Sequence, residues 1–377
     1  MALTTVSSDR LSTNVKASNL NSEFGQLGNR RLNINGAMAV AQRGTVSGIT
    51  SSTYAGPDRF RFGIASHGTF TVSQDSSAPT GSGFLNSLKL ACTTADTSVA
   101  ADAVGYFQHK FEGQDCQQIK KGTSSAEQLA VQFWVKSNKT GNYAFQVKDE
   151  DNIRSFTTTY TISSADTWEK KTIIIPADTT GALDDDINAS LTFHFWLVAG
   201  SNSTSGSAST SWYGNVPANL AVGHNVNIAD STSNTWYMTG FQVEIGSVHT
   251  DFEHRSFTQE IALCQRYCYV INMDLGDYSG FQGQALSDVN AQVINYFPTP
   301  MRTEPTYTGS ATLCRFQSQN SSVSVNFNAL SIHRTPQQRP VSVIGLQDDD
   351  VGSMSGGQSV LLMAMADSGK MTFEAEL

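Results

Sequence analysis

Alternation of apolar and polar residues with a period of two, from about residue 36 to 255, constrains the fold more than any other feature of this sequence. In QLAVQFWVKS (128–137) every second residue from Leu129 to Val135 is apolar, and SLTFHFWLVAG (190–200) repeats the pattern. Such alternation is typical of strands with one buried face. Turn-forming Gly, Asp, Asn and Ser separate the runs. The pattern predicts an all-β, antiparallel sandwich.

A polar segment precedes this body, and a second β-rich region follows it. Residues 1–35 are poor in aromatic residues and cannot bury enough apolar surface to fold alone, so they predict an extended arm that orders against a partner. Alternation resumes after Tyr269 and predicts a second, smaller β-domain over residues 271–377. The main sandwich then takes residues 36–270.

One short helix is predicted near residues 257–266. Ser256 can cap its beginning and Gln259 follows three residues later, the spacing of a capping box. We expect Ile261, Leu263 and Cys264 to face inward.

Charge and hydropathy exclude two classes of partner. The formal net charge is −9, whereas nucleic-acid binding needs a cationic surface. No apolar run reaches the roughly 20 residues that cross a bilayer, so we expect no membrane insertion. The first residues lack the apolar centre of a secretory signal, which predicts a soluble product made in the cytoplasm.

No pattern in the sequence indicates an enzyme, a metal or a cofactor. The five cysteines have no zinc-site spacing and are expected to be small buried hydrophobic residues. Nucleophile-elbow, phosphate-loop and zinc-protease motifs are missing. The acidic runs at residues 149–151, 184–186 and 348–350 are interpreted as solvated turns, because a glycosidase needs two carboxylates held about 5–9.5 Å apart.

Two strands offer a candidate ligand-binding face. If Phe133 and Phe193 point into the core, their neighbours point outward, and two tryptophans beside amide, hydroxyl and imidazole groups would suit a sugar. The outward residues are Gln132, Trp134, Lys136, Thr192, His194 and Trp196. The alternative is that these tryptophans lie beneath a loop, a neighbouring domain or another subunit.

Aromatic residues on predicted loops form a second set of candidate contacts, because recognition residues often lie on loops held by a rigid scaffold. Trp212 and Tyr213 follow a Ser-rich loop, and Tyr278, Phe281 and Tyr307 lie on predicted turns of the second domain. The alternative is ordinary anchoring of these loops.

Several segments resemble bacteriophage tail-fibre and minor virion proteins. RRLNINGAMAVAQRGT (30–45) resembles their opening, and TWEKKTIIIPADTTG (167–181) resembles their jelly-roll body. TWYMTGFQVEIGSVHTDFEHRSFTQEIALCQRYCY (235–269) resembles the last strand of that body and its exit helix. Two positions depart from the family pattern: Asp251 stands where proline is usual, and Cys268 where an aromatic residue is common.

The resemblance implies a carbohydrate-binding-module-like jelly roll in a virion appendage, attached to the particle by residues 1–35. It further implies a homotrimer that adheres to polysaccharide on the host surface and does not cleave it. The alternative is a purely structural decoration or connector protein without receptor binding, and a third possibility, a glycan hydrolase, would have to release reducing sugar.

Overall fold

The computed structural model describes residues 30–273, 278–287, 290–309, 314–318, 324–326, 329–334, 341–347, 356–364 and 369–377. Strands dominate these residues, and every strand pairing described among them is antiparallel. The all-β class predicted from alternation is confirmed. Neither α-helix in the described part of the chain has the length or the apolar character to cross a membrane.

The first half of the main sandwich is a six-stranded sheet. In spatial order its strands are β1 (Val46–Ile49), β4 (Thr69–Asp75), β5 (Ser87–Thr94), β13 (Thr235–Ile245), β7 (Leu129–Ser137) and β10 (Glu169–Ile175).

The second half is a seven-stranded sheet. In spatial order its strands are β12 (Tyr213–Gly214), β9 (Arg154–Ile162), β8 (Gly141–Asp149), β11 (Ala189–Ala199), β6 (Val104–Glu112), β3 (Arg61–Ala65) and β2 (Thr53–Tyr54). A four-residue helix, α1 (Ser201–Thr204), follows β11.

Aromatic side chains hold the two sheets together. Phe133 of β7 contacts Phe195 of β11 edge to face, with ring centroids 5.1 Å apart. Phe107 of β6 stacks on Trp236 of β13 at 5.7 Å. All four rings are fully buried, and such ring pairs stabilise a core beyond the area they bury. The inward faces that alternation predicted are therefore confirmed.

An exit helix, α2 (Phe257–Gln265), leads out of the sandwich as predicted. Its capping box is present, with the Ser256 side chain accepting from the Gln259 amide and the Gln259 side chain accepting from the Ser256 amide. The predicted inward face is partly wrong. Cys264 is buried, but Leu263 is 37% exposed and Glu260 is buried instead, because Glu260 forms an ion pair with Arg31.

Residues 30–35, predicted as part of the arm, pack onto the sandwich. Asn33 donates to the carbonyl of Phe241 at 2.8 Å and accepts from the amide of Val243 at 2.9 Å. Arg31 and Asn35 are also buried. Their polarity led to the wrong prediction, since each of these three side chains has at least one buried partner. Residues 1–29 of the predicted arm lie outside the described residues.

Two further sheets form the region after the exit helix. A three-stranded sheet contains, in spatial order, β14 (Cys268–Met273), β23 (Gly369–Glu374) and β17 (Thr306–Gly309). A seven-stranded sheet contains β19 (Ser324–Asn326), β18 (Cys314–Ser318), β22 (Ser359–Ala364), β15 (Tyr278–Ala285), β16 (Asn290–Tyr296), β21 (Val341–Gln347) and β20 (Ala329–Arg334). The predicted division between residues 270 and 271 falls inside β14.

The chain returns to the main sandwich at the end of β23. Arg43 pairs with Glu374 at 2.7 Å and with Glu376 at 3.0 Å. The Tyr54 hydroxyl donates to the carbonyl of Leu377 at 2.8 Å. These buried contacts fix the three-stranded sheet against the sandwich.

Four cysteines, Cys92, Cys116, Cys264 and Cys268, are buried and free. Burial raises the pKa of the Cys116 and Cys264 thiols, so both remain protonated at neutral pH. These four residues are small apolar groups of the core, as predicted.

Candidate functional site

The outer face of the seven-stranded sheet carries an ordered set of polar side chains. The strand register pairs Arg61 of β3 with Gln108 of β6, and pairs His194 of β11 with both Gln108 and Gln146 of β8. The residues that alternate with these four belong to the hydrophobic core, apart from His109, which packs against the core rings of Phe60 and Phe241. The four side chains therefore form one row on the outer face, which we call the amide row.

An aromatic row lies beside the amide row. Tyr106 pairs with Trp196 across β6 and β11, and their ring centroids are 5.0 Å apart. The Tyr106 ring is also 4.9 Å from the His194 ring. A Cβ atom placed on Gly63 would lie 2.3 Å from the Tyr106 ring, so this ring rests directly on the Gly63 backbone.

A lysine row lies on the other side of the amide row. Thr192 of β11 pairs with Lys110 of β6 and with Lys148 of β8. Lys148 forms an ion pair with Glu150, and the Thr192 hydroxyl donates to Glu150 Oε1 at 2.8 Å. Two residues along a strand span roughly 6.6 Å, so the three rows together cover about 13 Å.

Burial differs between the centre and the edges of this surface. Gln108, Gln146 and His194 are 4%, 2% and 7% exposed. Four longer side chains around them keep part of their surface in solvent. They are Arg61, Tyr106, Lys110 and Lys148. The amide row is therefore buried beneath these four side chains, which form the accessible surface; we call this surface the outer-face groove and the amide row its floor.

His194 is a neutral hydrogen-bonding group at physiological pH. Burial lowers the pKa of His194 to about 3, and the charges of Lys148, Lys110 and Arg61 lower it in the same direction. Its Nδ1 atom is buried and has no hydrogen-bond partner among the residues that the structure describes. A neutral imidazole has one donor and one acceptor, and an unpaired buried polar atom is costly. A polar ligand group that displaces the long side chains above His194 would satisfy this atom.

Trp196 is covered by the chain itself. It is 3% exposed and packs with Ala144, Ala221 and Leu220, two of which belong to the segment after α1. Its indole nitrogen donates to Gln146 Oε1 at 3.2 Å. The alternative that this tryptophan lies beneath a loop is confirmed. Trp196 supports the groove from one side and is not available for stacking.

Gln132, Trp134 and Lys136 lie on the opposite side of the sandwich. They belong to β7 in the six-stranded sheet, whereas His194 and Trp196 belong to β11. The predicted single face is wrong, because β7 and β11 face each other across the core and their outward residues diverge. From that predicted set, the outer face of β11 brings together Thr192, His194 and Trp196.

The residues of β7 also make contacts of their own. The side chain of Gln132 is 2% exposed and donates to the carbonyl of Thr250 at 2.7 Å. Lys136 Nζ lies 4.3 Å from the centre of the Tyr237 ring and donates to Ser77 Oγ at 2.8 Å. Trp134 is half-buried. A lysine thus covers the Tyr237 ring on this side.

Trp212 and Tyr213 anchor the segment that covers Trp196. The indole of Trp212 donates to the carbonyl of Pro176 at 2.8 Å. The Tyr213 hydroxyl donates to the carbonyl of Asn219 at 3.0 Å and lies 2.7 Å from the Thr157 hydroxyl oxygen. Both side chains are half-buried. The predicted exposed pair is therefore wrong, and the alternative of loop anchoring is confirmed for these two residues.

The aromatic residues predicted on distal turns lie in strands. Tyr278 and Phe281 belong to β15 and Tyr307 belongs to β17. The Tyr307 ring is half-buried, 5.6 Å from the Phe373 ring. The prediction that Tyr278 and Phe281 lie on a turn is wrong. Gly and Asp in DLGDYSGFQG suggested a turn, whereas β15 pairs with β16 and β22. Receptor contact by these residues stays a prediction.

Six residues of the groove were missed by sequence reasoning: Arg61, Tyr106, Gln108, Lys110, Gln146 and Lys148. The signal was present. In VGYFQHKFE the core residues Phe107 and Phe111 alternate with Tyr106, Gln108 and Lys110. The same rule that placed Trp196 outward would have placed these residues outward, but pairing of β6 with β11 cannot be read from either segment.

The acidic runs divide into two kinds. Asp184 and Asp185 are exposed, as a solvated turn requires. Asp149 is fully buried, with Oδ2 2.6 Å from Lys121 Nζ, so its assignment to a solvated turn is wrong. The lysine neutralises it and allows its burial. Residues 348–350 lie outside the described residues.

No family model matches this sequence, and no curated protein matches it. Among solved structures it is similar to the enzymatically active domain of tailspike protein 4 from bacteriophage CBA120, with 9% identity, a TM-score of 0.29 and coverage of 57% of this chain. The matched region is only 21% of that tailspike chain.

Two carbohydrate-binding modules are similar to comparable shares of the chain. The family 11 module of a cellulosomal cellulase from Clostridium thermocellum has 12% identity and a TM-score of 0.25, covering 55% of this chain and 99% of the module. A xylan-binding domain from Paenibacillus barcinonensis has 11% identity and a TM-score of 0.25, covering 56% and 100%. Because these identities and TM-scores are low, they carry no conclusion about ligand, activity or partners.

Proposed function

We propose that this protein is a glycan-binding subunit of a virion fibre that adheres to host-surface polysaccharide. The observation that carries the proposal is the outer-face groove, where a partly exposed Tyr106 ring adjoins a floor of amide and imidazole groups. Sugar rings have apolar C–H faces that stack on aromatic rings, and their hydroxyls need directional donors and acceptors. The groove supplies both within three strands of a rigid sheet.

The virion role rests on the resemblance of residues 30–45, 167–181 and 235–269 to tail-fibre and minor virion proteins. Because residues 30–35 pack onto the sandwich, the proposed docking arm ends before Arg30. In this proposal residues 1–29 contact other virion proteins, and three copies assemble into a homotrimer. A trimer would join three weak sites, and linking sites can raise overall avidity by about 10²–10⁴ over single-site affinity.

Binding without cleavage is the second part of the proposal. Within the described residues of the groove and their direct partners, the carboxylate is that of Glu150. It forms an ion pair with Lys148, which neutralises its charge. Glycoside hydrolysis uses two carboxylates across the scissile bond. We therefore expect incubation with bound polysaccharide to release no reducing sugar, and a measurable release would contradict this part.

A glycan array and binding to host cells test the adhesive function on the full chain. Tyr106→Ala should weaken binding at least tenfold, whereas Tyr237→Ala should not. Tyr237 is a matched control because it is a half-buried tyrosine on the outer face of the other sheet. Thermal unfolding of each variant checks that the fold is kept.

The other outcomes assign the site elsewhere or reject it. Loss of binding only with Trp134→Ala would move the site to the six-stranded sheet, and loss only with Tyr278→Ala or Phe281→Ala would move it to β15. Binding that is unaffected by Tyr106→Ala contradicts the groove. No binding to any glycan or host cell contradicts adhesion.

A structural virion protein without receptor binding is the second candidate. The observation that favours it is the covering of Trp196 by the segment after α1, which removes one of the two tryptophans expected to stack on sugars. A map of the particle would show whether the groove faces solvent or a neighbouring subunit. The same map would count the copies per fibre, and a single copy would contradict the trimer.

A further inference from the structure

The outer-face groove is cationic in a protein whose formal net charge is −9. Arg61, Lys110 and Lys148 border it, against one carboxylate, Glu150. Glu150 is already paired with Lys148. Neither Arg61 nor Lys110 forms an ion pair with any residue that the structure describes. Two positive charges at the groove therefore have no bonded counter-charge.

The positive charges of Arg61, Lys110 and Lys148 repel one another. Burial lowers the pKa of Lys110, and the charges of Arg61 and Lys148 lower it further, against the opposite effect of Glu150. The same three cations lower the pKa of His194 beyond the effect of burial. An anion bound at this place would relieve the repulsion.

The positions of the cations fit a ligand that is also bound by the floor. Arg61 lies directly opposite Gln108 in the register, and Lys110 follows Gln108 two residues later on β6. Both cations thus flank the same floor amide, next to His194 with its unpaired Nδ1. An arginine can hold a carboxylate through two parallel hydrogen bonds. The Tyr106 ring lies on the other side of Gln108.

We propose that the outer-face groove selects acidic polysaccharides, with a sugar ring against Tyr106 and its carboxylate between Arg61 and Lys110. This inference rests on the proposed glycan-binding function and specifies the class of glycan. Neutral groups of the same polymer reach Gln108 and His194 where the Arg61 and Lys110 side chains turn toward the carboxylate. Surface polysaccharides without carboxylates lack the group that the two cations bind.

The test compares each polymer with its own neutralised form. Binding of the full chain is measured to polygalacturonate and hyaluronan, and to the same polymers after conversion of their carboxylates to methyl esters. We expect at least one acid to bind at least tenfold more tightly than its ester. We also expect that advantage to shrink between about 50 and 500 mM NaCl, because salt screens charge interactions.

Variants assign the preference to the two cations. Arg61→Gln and Lys110→Gln should each reduce the acid-over-ester ratio several-fold, and Tyr106→Ala should weaken binding of both forms. Lys170→Gln is the matched control, since Lys170 is an exposed lysine on the six-stranded sheet. Thermal unfolding confirms that each variant folds.

The failure of this inference differs from the failure of the proposed function. Equal binding of acid and ester, or array binding confined to uncharged glycans, overturns the acidic selectivity and leaves adhesion standing. An acid preference that survives both Arg61→Gln and Lys110→Gln overturns it as well. Absence of binding to every polymer and every array glycan overturns the proposed function, and this inference with it.

Discussion

The guanidinium carbon of Arg59 lies 3.4 Å from the centre of the Tyr267 ring, which joins the chain before β3 to the end of the exit helix. Arg59 is 2% exposed, donates to the carbonyl of Lys110 at 2.9 Å and forms an ion pair with Glu376. Its φ of 75° lies in the left-handed region, which is unfavourable for a residue with a Cβ atom. The surrounding contacts therefore stabilise a backbone conformation that the residue alone would avoid.

Glu376→Gln should destabilise the protein by about 3–5 kcal/mol, because it removes the charge paired with the buried Arg59 and one of the charges paired with Arg43. Urea unfolding measures the free energy difference. Glu304→Gln, at an exposed glutamate, is the control and should change it little. A loss below about 1 kcal/mol for Glu376→Gln would show that these arginines do not depend on this carboxylate.

Lys121→Met should also cost about 3–5 kcal/mol of unfolding free energy. Lys121 Nζ lies 2.6 Å from Asp149 and 3.0 Å from Asp178, and it donates to the carbonyls of Thr180 and Gly181. Removing the ammonium leaves Asp149 fully buried with its charge no longer balanced by Lys121.

The neighbouring lysine provides the control for that variant. Lys120 is exposed and pairs with Glu127, and both side chains are largely in solvent. Lys120→Met should therefore cost less than about 1 kcal/mol. Equal losses for the two variants would mean that the buried pair with Asp149 contributes no more than a surface ion pair.

His194 should make the protein less stable as the pH falls from about 6.5 towards 3. Its folded pKa of about 3 lies below the usual 6.5, so in this window the unfolded state binds more protons than the folded state. Linkage then lowers the unfolding free energy by up to about 1.4 kcal/mol for each pH unit. In His194→Asn the pH dependence of unfolding, followed by thermal or urea melts, should be shallower. An identical slope in both proteins contradicts a neutral, buried His194.

Gly63→Ala should reduce glycan binding while leaving the sandwich folded. The new methyl group would lie 2.3 Å from the Tyr106 ring, which must therefore leave its present position. Gly214→Ala is the control, because a Cβ atom there meets no heavy atom within 4 Å. Binding is measured on the polymer that the unmodified protein prefers. Full glycan binding by Gly63→Ala would show that binding does not depend on the position of the Tyr106 ring.

Local patterns in the sequence predict local structure well in this protein. The capping residues Ser256 and Gln259 predict the exit helix because the interactions involved span three residues. Period-two alternation separates Phe133 from Trp134 correctly, since side-chain direction depends only on position along the strand.

Sheet membership could not be predicted in the same way. β7 and β11 have almost identical patterns, yet they lie in opposite sheets, because their pairing partners are distant in sequence. This is why Trp134 and Trp196 were assigned to one face. The burial of Arg31 and Asn33 was missed for a related reason: their partners Glu260 and Phe241 lie more than 200 residues away.

β14 and β23 are adjacent antiparallel strands, paired from Cys268 opposite Glu374 to Met273 opposite Gly369. The chain therefore leaves the sandwich along β14 and returns to it along β23, which lies beside β14. A pull on the sheet that contains β15 and β16 would load two covalent backbones in parallel, with the hydrogen bonds between them lying across the direction of force. In the proposed virion fibre, force from a bound cell would therefore not peel this pair of strands apart.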